Sequence, residues 1–145
     1  MFEKWKYRAK LAKLFRQKEK LRSAYDEKIR QAEKDGKPSD DIEVLKLDSY
    51  HGSIMIDEEI AILATDNLIR KVRRHFVPIP SRKTDGMWEQ CIASNRYVLT
   101  DQGISKLRSA LRKELNERYE IILKFSALLI GIIGALTGLV AVILK

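Results

Sequence analysis

The chain has 145 residues, with 28 Lys and Arg against 20 Asp and Glu for a formal charge of +8, and one cysteine. A lone Cys91 excludes an internal disulfide and fits a reducing compartment, and the length allows one modest domain. The charge is uneven: residues 1–37 hold thirteen basic and six acidic side chains, 38–69 one basic and eight acidic, and 70–74 (RKVRR) four basic. That asymmetry predicts a basic first helix lying against an acidic second one.

The first segment reads as helix to about Asp35, free of Pro and Gly until Gly36 and Pro38. Leu11, Leu14, Leu21, Tyr25, Ile29 and Ala32 form one stripe, interrupted by Lys18. Phe2, Trp5, Ala9 and Ala12 lie on another face. With Lys4, Lys6, Lys10 and Lys13 around them, Phe2 and Trp5 are candidate interfacial aromatics, while packing as a cap on the helical core is their structural alternative. The turn GKPSDD offers Ser39 or Asp40 as a cap for a second helix from Asp41 to about His75. Its core stripe is Ile42, Leu45, Ser49, Gly52, Ile56, Ile60 and Leu63, and Leu47, Ile54, Ala61, Leu68 and Val72 form a second line. Gly52 in mid-helix predicts a kink or a close helix contact. The short connection makes residues 1–76 an antiparallel helical hairpin. Arg70, Lys71, Arg73 and Arg74 join the four lysines as a candidate basic surface for membrane, protein or nucleic acid.

Residues 77–99 form a Pro-containing loop and a small β-hairpin, with the turn at Ser94-Asn95. Thr100 or Asp101 caps a juxtamembrane amphipathic helix over 100–124, with Ile104, Leu107, Leu111, Leu115, Tyr119 and Ile122 on one face. Nothing stops that helix before 125–144, FSALLIGIIGALTGLVAVIL, twenty residues without a charge. As a helix the run is about 30 Å long, enough to span a bilayer. Ala127, Gly131, Gly134, Gly138 and Ala141 share one face of it at alternating spacings of 4 and 3, the pattern of a packing face between membrane helices. The expected fold is therefore mainly α: hairpin, small β-hairpin, then a long helix running into a C-terminal span.

Of the 28 basic residues, 27 precede the span, which predicts a cytoplasmic N-terminus, facing the inner membrane if the source is bacterial. The opening MFEKWKYRAK has no apolar signal region, so the expected topology is a single-pass tail anchor.

The segment Arg96-Tyr97-Val98-Leu99-Thr100-Asp101-Gln102-Gly103 resembles the junction between wing and last helix in winged-helix proteins. There a strand ends in Leu-Thr, two residues and Gly. The likeness implies a recognition helix upstream, where this chain offers only long helices and a proline-containing loop. In architecture the chain resembles the small single-pass membrane proteins of bacteria and their mobile elements, some of which act as membrane effectors in phage defence. That likeness implies an effector role and transfers no individual residue.

Catalysis lacks a basis in the sequence. His51 and His75 are isolated, Asp48 beside His51 makes a pair without a nucleophile, and no metal or nucleotide motif occurs. Asp57-Glu58-Glu59 reads as a solvated face or a partner for basic residues. No enzyme and no cofactor are expected. The first functional expectation is a self-associating membrane effector controlled by its helical domain, with the bilayer and further copies of the chain as partners. The alternatives are a membrane adaptor that docks a protein on its hairpin, and a membrane-tethered nucleic-acid-binding protein.

Overall fold

The computed structural model describes residues 2–143, with the side chains of 3–135 and of Thr137. The order is α1 (Phe2–Lys34), α2 (Ser39–Arg74), β1 (Trp88–Gln90), β2 (Tyr97–Leu99) and α3 (Asp101–Ile143). The protein is mainly helical, three helices with one small antiparallel β-hairpin.

Helices α1 and α2 form the antiparallel pair that the stripes require. Leu14 and Ala32 are buried, and Leu11, Leu21, Tyr25 and Ile29 are half-buried against the half-buried stripe of α2. Two helices alone cover each other incompletely, which is why so few of these side chains are fully enclosed. Lys18 breaks the stripe without breaking the packing. Its ammonium lies 2.7 Å from both carboxylate oxygens of Asp57 across the hairpin. Gly52 is a close-contact glycine: a Cβ there would sit 3.2 Å from both methyl carbons of Leu21. The second line of α2 is half-buried at Ile54 and Ala61 and buried at Leu68 and Val72, whereas Leu47 is 52 % exposed.

Capping of α2 departs from expectation. Pro38, not Ser39 or Asp40, occupies the N-cap, and no side chain caps the helix. The Pro38 carbonyl accepts the amides of Asp41 and Ile42, and Pro38 has no N–H of its own to leave unsatisfied there. Asp40 and Asp41 fall in the first turn, where the helix dipole favours carboxylates.

The densest core lies beyond the hairpin pair, where Leu68, Val72, Val77, Leu99 and Leu107 cluster, with Trp88, Ile104 and Leu111 packed against them. Strand β1 pairs with β2 in the register Trp88↔Leu99, Glu89↔Val98, Gln90↔Tyr97. A two-stranded ribbon is marginal alone. Here Val98 and Leu99 are buried, and the Leu99 amide donates to Oγ1 of the buried Thr65 on α2 at 3.0 Å.

Helix α3 starts as expected at Thr100, whose Oγ1 accepts the Gly103 amide at 3.0 Å and donates to the Gly86 carbonyl at 2.6 Å. Its amphipathic face packs only partway. Leu107 is buried and Leu111 and Leu115 half-buried, but Tyr119 and Ile122 are 65 % and 62 % exposed. Helix α3 leaves the core after Leu115. Among the described residues, no helix is long and apolar enough to cross a membrane. The expected span is described only in part, since the side chains of Leu136 and of residues 138–144, including Gly138 and Ala141, lie outside the described residues.

Candidate functional site: the basic end of the hairpin

Antiparallel packing brings the first turns of α1 to the last turns of α2, so basic residues some seventy positions apart in the chain become neighbours. Residues 3–10 and 70–74 together carry eight Lys and Arg and a single carboxylate, Glu3. A groove between the two helices is lined by Lys4, Tyr7, Arg8, Arg70, Lys71 and Arg74, with Glu3 at its edge. Lys6 and Lys10 face Arg70 in an adjoining groove. On its other side Lys71 shares an open cleft with Arg108 and Arg112 of α3. Of the expected basic surface, Lys4, Lys6, Lys10, Arg70, Lys71 and Arg74 are therefore brought together. Lys13 and Arg73 are exposed and line neither groove.

Electrostatics mark this end as costly. Glu3 accepts a hydrogen bond from Arg74, and that bond together with the guanidinium charge holds its carboxyl below the usual glutamate range. Basic side chains near a helix C-terminus, as in the last turn of α2, suit the dipole. Lys4 sits in the first turn of α1, at the positive end of its dipole, where a basic side chain is disfavoured by about 0.3–1 kcal/mol.

The two hairpin helices end in the same backbone motif with unlike residues. After α1, the Lys37 amide reaches the Ala32 carbonyl and the Gly36 amide that of Glu33. After α2, Val77 reaches Val72 and Phe76 reaches Arg73 in the same way. Both are Schellman ends, which place one residue in the left-handed region. Gly36 fills that position at φ +64°, as glycine readily does, but at the end of α2 it is Phe76, at φ +58° and 86 % exposed. A bulky residue is strained there by roughly 1–2 kcal/mol, and the phenyl ring gains no burial in return. Trp5, at the same end, is 67 % exposed. It does not cap the helical core, which corrects that alternative, because its face of α1 points away from α2. The side chain of Phe2 lies outside the described residues.

Sequence reading missed Arg8, Arg108, Arg112 and Phe76. A signal for Phe76 existed in the run RKVRRHF, where a basic helix end meets an aromatic with no glycine to take the cap. Arg108 and Arg112 carried no such signal, because only tertiary packing brings α3 beside Lys71.

The acidic run divides its roles. Asp57 pairs with Lys18, as a partner for a basic residue, while Glu58 accepts the amides of Ala93 and Ser94 at 2.9 and 3.1 Å and the Ser94 hydroxyl at 3.2 Å. The Ala93 amide first, with both Ser94 donors, keeps the Glu58 carboxyl below its usual range and pins the β-hairpin turn to α2. His51 is exposed with its ring 6.2 Å from that of Tyr50, and His75 has a buried Nδ1 without a hydrogen-bond partner among the described residues. Among the described residues, no three His, Cys, Asp or Glu side chains gather as a metal site. Comparison with protein-family models, curated proteins and solved structures finds no match for the chain.

Proposed function

We propose that the protein is a non-enzymatic membrane effector. In this reading the C-terminal part of α3 is its single-pass anchor, and the helical head on the cytoplasmic side controls assembly of the anchors. The observation that carries the reading is the state of α3 beyond the head. Every described side chain from Asn116 to Ala135 is exposed on one unbroken helix, including Ile121, Leu123, Phe125, Leu128, Ile130 and Ile133 at 53–70 %. Among the described residues, no other part of the chain covers this apolar surface. At about 25 cal/mol per Å² of apolar area kept in water, such a surface favours lipid or a second helix. The uncharged run from 125 to 144 supports lipid, by its length. Self-association is supported by the in-phase small residues: at Gly131 and Gly134 a Cβ would meet nothing within 4 Å in the single chain. Without a hydrophobic force between helices in lipid, close backbone approach is what drives their association.

The test is membrane potential and viability in bacteria induced to make the intact chain or Gly131→Leu/Gly134→Leu. Depolarisation by the intact chain, lost in the double variant while both resist alkaline extraction, is the expected result. Equal depolarisation by both would remove the glycine face from the mechanism.

An adaptor role is the second reading, favoured by a separate observation. Val44, Leu47, Tyr50 and Met55 are 52–63 % exposed along one side of α2, and Ile92 at the nearby β-hairpin tip is 90 % exposed. A harmless intact chain that retains a protein partner through these residues would favour it.

A further inference from the structure

We infer that the basic end of the hairpin is a docking surface for the anionic lipid surface around the chain's own anchor, with Trp5 and Phe76 as its interfacial aromatics. The inference rests on the membrane reading of α3 and adds what the head does there.

Direction is the first argument. Asp57 to Ala64 of α2 face the end of β2 and the first turn of α3, at Leu99–Gln102 and Ile104, whereas Leu68 and Lys71 face α3 on to Leu115. Helices α2 and α3 therefore advance together, and the end of α2, with the start of α1 folded back beside it, lies toward the apolar end of α3. Of the two ends of the hairpin, the basic one faces the anchor. The turn at Gly36 and the exposed stripe of Val44 and Leu47 face away.

Distance is the second. Leu115 is the last residue of α3 half-buried on the head, and the uncharged apolar run begins at Phe125, just after Lys124. Ten residues of helix measure about 15 Å. The headgroup layer fills about 5–7 Å of that, which leaves a gap of about 8–10 Å, close to the Debye length of about 8 Å at physiological salt. Basic groups at the level of Leu115 thus lie within reach of an anionic headgroup layer, and each contributes about 1 kcal/mol, or about fivefold in partitioning, when it does.

The third argument is the strain already described. Lys4 opposes the dipole of α1 in its first turn, and Phe76 holds a left-handed backbone for a ring that stays in solvent. Basic residues flanked by the exposed aromatics Trp5 and Phe76 suit the polar and apolar levels of a bilayer interface together. A duplex of nucleic acid would share the charge but has no use for an anchor-facing orientation.

The experiment reconstitutes the full chain into phosphatidylcholine vesicles, with or without about 30 % phosphatidylglycerol to give a negative surface. Trp5 emission is read as the difference between the native chain and Trp5→Phe, with quenching by lipids labelled at headgroup depth. Docking predicts a blue shift and quenching of Trp5 only on the anionic vesicles. Both are lost in about 1 M salt, where the Debye length falls to about 3 Å, and in Lys4→Glu/Arg8→Glu/Arg70→Glu/Lys71→Glu. Phe76→Gly separates docking from folding: the head should melt at a higher temperature while Trp5 quenching falls. Trp5 emission that ignores lipid charge, or quenching that survives the fourfold variant, would overturn the proposal.

Alkaline extraction from the uncharged vesicles reads the anchor independently. A chain that washes off, yet binds anionic vesicles with salt-reversible Trp5 quenching, would refute the anchor and keep the docking surface. A chain that shows neither refutes both. Tight, steeply salt-dependent retention of a DNA duplex without any Trp5 response to phosphatidylglycerol would overturn the proposal and give this end to nucleic acid.

Discussion

Gly103 shows how a single residue can look like a weakness and act as a requirement. By propensity, glycine in a helix is worth about 1 kcal/mol less than alanine, so Gly103→Ala should help. The packing reverses that sign. A Cβ at 103 would lie 2.3 Å from the Met87 carbonyl oxygen and 3.1 Å from the Leu99 side chain. The neighbour is backbone, and the Thr100 amide also donates to that same carbonyl, so it has little freedom to withdraw. The expected outcome is a loss of about 1–3 kcal/mol, the usual range for overpacking. It would be read as a lower melting temperature of the head with the apolar part of α3 unaffected. The Leu-Thr-x-x-Gly pattern has the same origin. Thr100 caps α3 and ties it to Gly86, and Gly103 lets the first turn press on Met87.

At the scale of elements, the β-hairpin is held to α2 by few contacts, and one of them is titratable. Glu58 accepts the Ala93 and Ser94 amides, which depress its carboxyl, so the protonated form binds the turn less well. A depressed folded value means that this support is complete above the ordinary glutamate range, near 4.3, and disappears as pH falls through the lower folded value. Amide-proton shifts of Ala93 and Ser94 should therefore titrate together below that range, and Glu58→Ala should free both amides to exchange at neutral pH. A midpoint at the ordinary value would mean that the contact does not persist in solution. These elements also differ in how far they could be read from the chain. Both stripes of the hairpin, its turn, the strand pair and the Thr100 cap follow from local period and turn chemistry, which the sequence carries directly. Pro38 as N-cap, the departure of α3 after Leu115, and the cleft that Lys71 shares with Arg108 and Arg112 do not. Each depends on which surfaces remain after the other elements have packed. The basic site was legible as two separate charge runs, but its union, and the aromatics at its edge, needed the antiparallel fold.

For the whole molecule, the decisive feature is that α3 belongs to the head through Leu107 and continues unbroken to the glycine-bearing segment. Such a helix fixes two quantities at once: the rotation of the head relative to the glycine face, and its height above the apolar run. Alanine insertions between Arg118 and Tyr119 separate them, and leave the Glu114–Arg118 pair intact. Two residues raise the head by only about 3 Å but rotate it by about 200°. Seven residues raise it by about 10 Å and return it to within about 20° of the original phase. If head and anchor act as one rigid body, depolarisation should be lost with two inserted residues and kept with seven. Docking on anionic lipid depends on height instead, so Trp5 quenching should survive the two-residue insertion and fall with the seven-residue one, which moves the basic end beyond a Debye length of about 8 Å. Opposite responses of the two readouts would establish rigid coupling and surface docking as separate consequences of one continuous helix. Depolarisation that is the same for both insertions would mean that the head does not steer the anchors through α3, and Trp5 quenching that is the same for both would mean that its contact with lipid does not depend on where α3 holds it.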